Sequence, residues 1–188
     1  RKPLQKRGKW CIVKIVCLTN KVNVRADLSI RRIVLIITKM KELKIGDLTA
    51  RVPIIQGGMG VNISLSRLSA AVANEGGIGV IATASIGMDE PDFYANILEA
   101  NMRAKGILGV NIMVAMSNFG DLVRTSIEEK IDVIFSGAGL PLDLPEYLTE
   151  GCKTKLVPIV SSGRAARLIA KVWKEKYNYL PDAFVVEG

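Results

Sequence analysis

The chain has 188 residues, 49% of them apolar, and a formal net charge of +8 with no histidine. That length supports one domain with a sizeable core, and no run approaches the roughly 20 apolar residues a membrane span requires. The charge is local: residues 1–39 hold 11 Lys and Arg against the single acid Asp27, whereas residues 40–188 hold 15 basic and 17 acidic side chains, so the bulk of the chain offers no electrostatic case for binding nucleic acid.

The basic stretch 1–39 reads as a leader outside the domain, and Lys14 interrupts the only candidate signal core. Met40 is the expected start of a domain covering residues 40–188. Cys11, Cys17 and Cys152 lack the spacing of a disulfide framework or a zinc site, so a reducing compartment, the cytoplasm, is expected. Without histidine, the commonest general base and the commonest metal ligand are missing, and no metal site is expected.

From residue 50 the pattern alternates. "VPIIQ" (52–56) reads as a short apolar strand ending in "GGMG", after which Ser64 is placed to cap a helix with Leu65, Leu68, Ala71 and Val72 on one face and Gly76 to end it. "GIGVIAT" (77–83) is a second strand. Pro91 opens a helix to about Ala104, and "ILGVNIMV" (107–114) is a third strand. Ser117 or Asn118 caps a helix with Leu122, Val123 and Ile127 at helical spacing, "IDVIFS" (131–136) is a fourth strand ending in "GAGLP", and Asp143 begins a short helix. "KLVPIVSS" (155–162) is a fifth strand, the helix from Gly163 turns Leu168, Ile169, Val172 and Trp173 inward, and "DAFVVEG" is a sixth strand.

Continuous apolar strands separated by helices pair in parallel and are covered on both faces. A doubly wound sheet and a (β/α)8 barrel both satisfy that pattern. Gly, Ser and Asn gather at the C-terminal ends of nearly all the strands, which favours a TIM barrel, of which about six of eight β/α units are present. "GGMGVN" lacks the third glycine of a nucleotide fingerprint.

"PIIQGGMG", "NEGGIGVI", "GVNIM", "SGAGLP", "PIVSSGRAA" and "DAFVVEG", in this order, resemble the nitronate monooxygenases, formerly called 2-nitropropane dioxygenases, over residues 41–188. That resemblance implies an FMN-dependent (β/α)8 barrel that oxidises alkyl nitronates with O2 to a carbonyl compound and nitrite. FMN-dependent enoyl-acyl-carrier-protein reductases are close relatives and supply the alternative activity. An incomplete barrel without activity is the alternative of another class. The partners implied are a small nitronate or nitroalkane and O2, with no nucleic acid and no membrane, and homo-oligomerisation is left open.

The resemblance assigns Gly57, Gly58 and Met59 to the segment whose main chain lies against the flavin, and glycine permits such close approach. It also assigns Asn111 to the cofactor site, and Gln56, at the same strand end as the glycines, is expected as a polar contact to ring or substrate, with Ser162 as a further cofactor contact. Asn111 reads equally as a barrel-interior amide satisfied by neighbouring strands, and Ser161 or Ser162 as a cap of the following helix. Ser136, Gly137 and Ala138 are expected either at a mouth loop near substrate or flavin or as a plain helix entry, Glu187 as an acid at a strand end that orients a partner or pairs with a basic group, and Trp173, Tyr177 and Tyr179 as shell packing. The catalytic histidine that the family implies falls beyond Gly188, so no catalytic residue is assigned within residues 1–188.

Overall fold

The computed structural model describes residues 12–14, 41–85 and 90–187. The expectation that Met40 begins the domain lies outside them. In chain order the strands are β1 (Ile12–Lys14), β2 (Leu43–Ile45), β3 (Leu48–Ala50), β4 (Ile78–Ala82), β5 (Ile107–Met113), β6 (Val133–Gly137), β7 (Lys155–Val160) and β8 (Phe184–Val186). The α-helices are α1 (Ser66–Asn74), α2 (Glu90–Arg103), α3 (Phe119–Glu128) and α4 (Gly163–Tyr177).

Strands β4 to β8 pair in parallel and in strict sequence order. A doubly wound sheet reverses its order at a switch point, whereas sequential parallel neighbours are the order of a barrel. The fold is an incomplete (β/α)8 barrel. Its first unit is "VPIIQ", which forms a ladder on β4 rather than a regular strand: Gln56 N–H donates to the Ile78 carbonyl at 3.0 Å, and Ile78 N–H donates to Ile54 at 2.9 Å. Pro53 cannot donate to a ladder, which suits this edge position. On the other side, β1 pairs in parallel with β8, Ile12 opposite Phe184 and Lys14 opposite Val186.

Alternation along each strand separates two cores. Ile78, Val80, Val133, Phe135, Val157 and Val185 pack inside the sheet, while Ile81, Val110, Ile112, Ile134 and Leu156 pack outward against the helices. The interior is plugged by the β2–β3 hairpin, whose Ile45 and Ala50 join the inner core. Gly46 takes φ 60° at the first central position of its turn, and Asp47 is held to Lys155 at 2.6 Å. The Gly-Asp signal for this hairpin stands in the sequence.

Two helix faces differ from expectation. In α1 the buried side is Ser66, Ser69, Ala70 and Ala73, while Leu68 and Ala71 are exposed. The reason is close approach: a Cβ on Gly79 would lie 1.8 Å from the Ser69 carbonyl oxygen, and one on Gly106 would lie 2.1 Å from that of Ala73. The helix backbone itself rests on glycine, so small residues face inward. The cap also moves, to Leu65, because the Ser64 hydroxyl is engaged elsewhere. In α4, Ile169 and Trp173 are inward as expected and Trp173 Nε1 donates to the Pro141 carbonyl at 2.8 Å, but Leu168 is exposed. The α3 expectation holds, with Leu122, Val123 and Ile127 buried.

At the N-terminal ends of the strands one device occurs twice. Leu108 N–H donates to Asp132 Oδ2 at 2.9 Å while Asp132 N–H donates back to the Leu108 carbonyl at 3.1 Å. Leu156 and Asp182 repeat this at 2.9 and 3.1 Å. Each aspartate thus ties the start of its own strand to the preceding one. Burial pushes the Asp132 carboxyl above its ordinary value, opposed by the Leu108 N–H that favours the charged form. A carboxyl raised on folding binds its proton to higher pH than the unfolded chain does, so its contribution falls as pH rises from the ordinary carboxylate value through the raised one. Asp132→Asn is expected to flatten that fall and still accept from Leu108, whereas Asp132→Ala leaves a buried N–H unpaired at a cost of about 1–3 kcal/mol. Urea midpoints of the three proteins at about pH 4 and about pH 7 check both statements.

Candidate functional site

At the C-terminal ends of the strands, the loop after Gln56 and the ends of β4 to β8 surround a cavity of about 410 Å³. Its walls are apolar, from Ile55, Val80, Phe135 and Ile159, and its polar rim comprises Gln56, Asn111, Glu187 and the Gly57–Gly58 main chain. A smaller cavity of about 180 Å³ shares Gly58, Asn111 and Glu187 and extends to Met113, Gly137 and Ala138. Together they form one cleft at the face where barrel ligands bind.

The loop is shaped by its sequence. Val61 and Asn62 both take positive φ, 56° and 57°, and turn the chain back toward the strand end. A β-branched residue in the left-handed region is strained, and such strain persists where the surrounding contacts over-determine it. The contacts here come from Ser64, fully buried, whose hydroxyl donates to the Gly57 carbonyl at 3.0 Å and accepts from Met59 N–H and Gln56 Nε2, each at 2.9 Å. Gln56 Nε2 also donates to the Val80 carbonyl at 3.0 Å, which fixes the amide's orientation and leaves its buried Oε1 with no protein partner.

The two glycines differ in what surrounds them. A Cβ on Gly57 would meet no protein atom within 4 Å, whereas one on Gly58 would lie 2.6 Å from Asn111 Cβ and Nδ2. Gly57 borders open cleft and Gly58 makes room for Asn111. Asn111 stands on β5 between Ala82 and Phe135 in register, and its carbonyl accepts from Thr83 Oγ1 at 2.9 Å. Ala138, with φ 54°, carries the β6 end around the rim.

Of the residues expected at the site, the structure brings together Gln56, Gly57, Gly58, Met59, Asn111, Gly137, Ala138 and Glu187. Two fall outside. Ser162 is exposed and caps α4, its Oγ accepting from Ala165 N–H at 3.2 Å. Ser136 occupies the helix-facing register beside Ile112 and Pro158, fully buried, because inward and outward positions alternate and the adjacent Phe135 and Gly137 take the cleft side. Tyr177 and Tyr179 stand away from the cleft: Tyr177 donates to Asp143 Oδ1 at 2.9 Å, and Tyr179 to Asp182 Oδ2 at 2.5 Å, where burial and that carboxylate push its phenol up. Ser64 was read as a helix cap, and the wall residues Val80, Phe135 and Ile159 were legible only as alternation.

Glu187 is the one ionisable side chain lining either cavity among the described residues. The same residues hold no cluster of side chains able to bind a metal ion, and no helix long and apolar enough to cross a membrane.

Residues 41–124 match the family model described as nitronate monooxygenase. FabK from Thermotoga maritima is similar at 33% identity with a TM-score of 0.59, over 71% of this chain and 40% of that one, and a mutant form of it at 34% and 0.61. The nitroalkane oxidase of Streptomyces ansochromogenes shares the fold, with a TM-score of 0.60 at 18% identity, over 77% of this chain and 47% of that one. A Mycobacterium tuberculosis protein, (3aS,4S,5R,7aS)-5-hydroxy-7a-methyl-1-oxo-octahydro-1H-indene-4-carboxyl-CoA dehydrogenase, is 30% identical over 136 residues, which are 72% of this chain and 35% of that protein. The chain therefore spans 35–47% of the length of these relatives. The matched segment contains the glycine loop, α1, β4 and Asn111, while Phe135, Ile159 and Glu187 of the cleft lie beyond it.

Proposed function

We propose that the cleft is a flavin site and that the protein oxidises alkyl nitronates with O2, each nitronate taking up one oxygen atom to give a carbonyl compound and nitrite. The observation that carries this is the Gly57–Gly58 main chain. At Gly57 it borders open cleft where a Cβ would meet nothing, at Gly58 it packs against Asn111, and its two N–H groups have no acceptor among the described residues. A flat, largely apolar ring with an acceptor-bearing edge fits these features and the Ile55, Val80, Phe135 and Ile159 walls.

FMN, when bound, supplies electron acceptance from the nitronate and delivery to O2. The chain's own residues supply the rest. Gly57 and Gly58 N–H groups meet the ring's acceptor edge and give positive character where negative charge develops. Asn111 and Gln56 orient the ring, and the apolar walls exclude water. Ser162 and Ser136 lie outside the cleft and play no part in this reading.

Glu187 is the one ionisable side chain of the cleft among the described residues, and the substrate proposed is the ready-made nitronate anion, which needs no base to remove a carbon-bound proton. A second reading, flavin-dependent oxidoreduction of an acyl thioester, is favoured by the CoA ester in the name of the M. tuberculosis relative. Nitrite release from propionate-3-nitronate without a nicotinamide donor supports the first. NADH consumption dependent on an enoyl thioester, with no nitrite from nitronate, overturns it.

A further inference from the structure

The Ser64 hydroxyl has one proton and two lone pairs, and all three are used within one loop. The proton goes to the Gly57 carbonyl at 3.0 Å, and the lone pairs receive Met59 N–H and Gln56 Nε2 at 2.9 Å. These partners span the segment that lines the cleft, while Ser64 itself is fully buried and touches neither cavity. Ser64 N–H in turn donates to the Met59 carbonyl at 3.1 Å, and its own carbonyl accepts from Ala82 N–H at 2.9 Å, which pins it to the end of β4.

The consequence is selective. Ser64 engages the Gly57 carbonyl and Met59 N–H, the latter also donating to the Gly57 carbonyl at 3.0 Å, whereas the N–H groups of Gly57 and Gly58 find no acceptor among the described residues. Successive main-chain donors left free in a turn can form an anion- or acceptor-binding concavity. Gln56 is fixed by the same hydroxyl, its NH2 shared between Ser64 and Val80.

We propose that Ser64 is a positioning residue: its saturated hydroxyl holds residues 56–59 in the conformation that presents the Gly57 and Gly58 N–H donors to the acceptor edge of the ligand. This rests on the flavin reading, and deepens it by assigning the donors' alignment to a side chain that never touches the ligand. Donors held against the edge where charge develops on reduction stabilise the reduced flavin relative to the oxidised one. Ser64 thereby tunes the potential of bound flavin as well as its affinity.

The test uses Ser64→Ala and Ser64→Thr, the second retaining the hydroxyl. In the ligand-free chain, amide hydrogen exchange at Met59 is expected to accelerate by about tenfold or more in Ser64→Ala and to stay near wild type in Ser64→Thr. With flavin bound, Ser64→Ala is expected to lower the midpoint potential, a tenfold loss of preference for the reduced form reading as about 30 mV for a two-electron couple, with Ser64→Thr restoring it. Unchanged exchange at Met59, or an unchanged potential in Ser64→Ala, overturns the role of Ser64. A wild-type chain that binds no flavin overturns the functional reading, while the exchange measurement still decides whether Ser64 holds the loop.

Discussion

Gly79→Ala is expected to be the most damaging glycine-to-alanine change among the described residues. The new Cβ would lie 1.8 Å from the Ser69 carbonyl oxygen and 2.5 Å from its carbonyl carbon, both of them helix backbone that cannot rotate away. Relief requires α1 to lift off β4 as a body, and overpacking of this kind costs about 3 kcal/mol or more. For a chain of this length that corresponds to a fall in Tm of about 6–12 °C, read by differential scanning calorimetry. Gly106→Ala, with 2.1 Å to the Ala73 carbonyl oxygen at the other end of α1, is expected to behave similarly. Gly163→Ala is the control, since its nearest neighbour is the end of Arg167 at 3.8 Å.

Gly57→Val is expected to separate binding from folding. No protein atom lies within 4 Å of the added Cβ, and Gly57 does not occupy the left-handed region, so Tm should move by no more than about 2 °C. The side chain projects into the cleft against which the ring would lie, and flavin affinity is expected to fall by about 100-fold or more, equivalent to about 2.7 kcal/mol. Gly58→Ala should behave differently. Its Cβ would displace Asn111, so both stability and binding decline together. Fluorescence titration alongside thermal unfolding of the two variants distinguishes these outcomes.

The architecture was legible because it rests on order and polarity. Apolar strands alternating with helices dictate a parallel sheet, and glycine, serine and asparagine at successive strand ends point to a shared mouth, as Gly57, Asn111 and Gly137 show. The face of α1 was not legible, because apolar periodicity assumes that large side chains seek the core. Here Gly79 and Gly106 draw the helix backbone into contact, and Leu68 is left outside. Ser136 was misplaced for a related reason: a strand-end serine carries no sign of which face it takes until the register is known, and Ile112 and Pro158 beside it set that register. Ser64 precedes a helix and so looked like a cap. Its true partners lie back along the chain, at Gln56, Gly57 and Met59, and become visible only once Val61 and Asn62 have folded the loop onto itself.

The same folding ties sequence to function. A segment written as two glycines keeps both of its N–H groups without an acceptor among the described residues, while a buried hydroxyl engages the neighbouring carbonyl and N–H. The apolar walls come from inward positions on β4, β6 and β7, set by alternation. The most direct measurement is an FMN titration of the purified chain, followed by quenching of flavin fluorescence and by its visible spectrum. The account predicts saturable binding of one flavin per chain that Gly57→Val removes without altering Tm; binding that Gly57→Val leaves unchanged, or no binding by the wild-type chain, would contradict it.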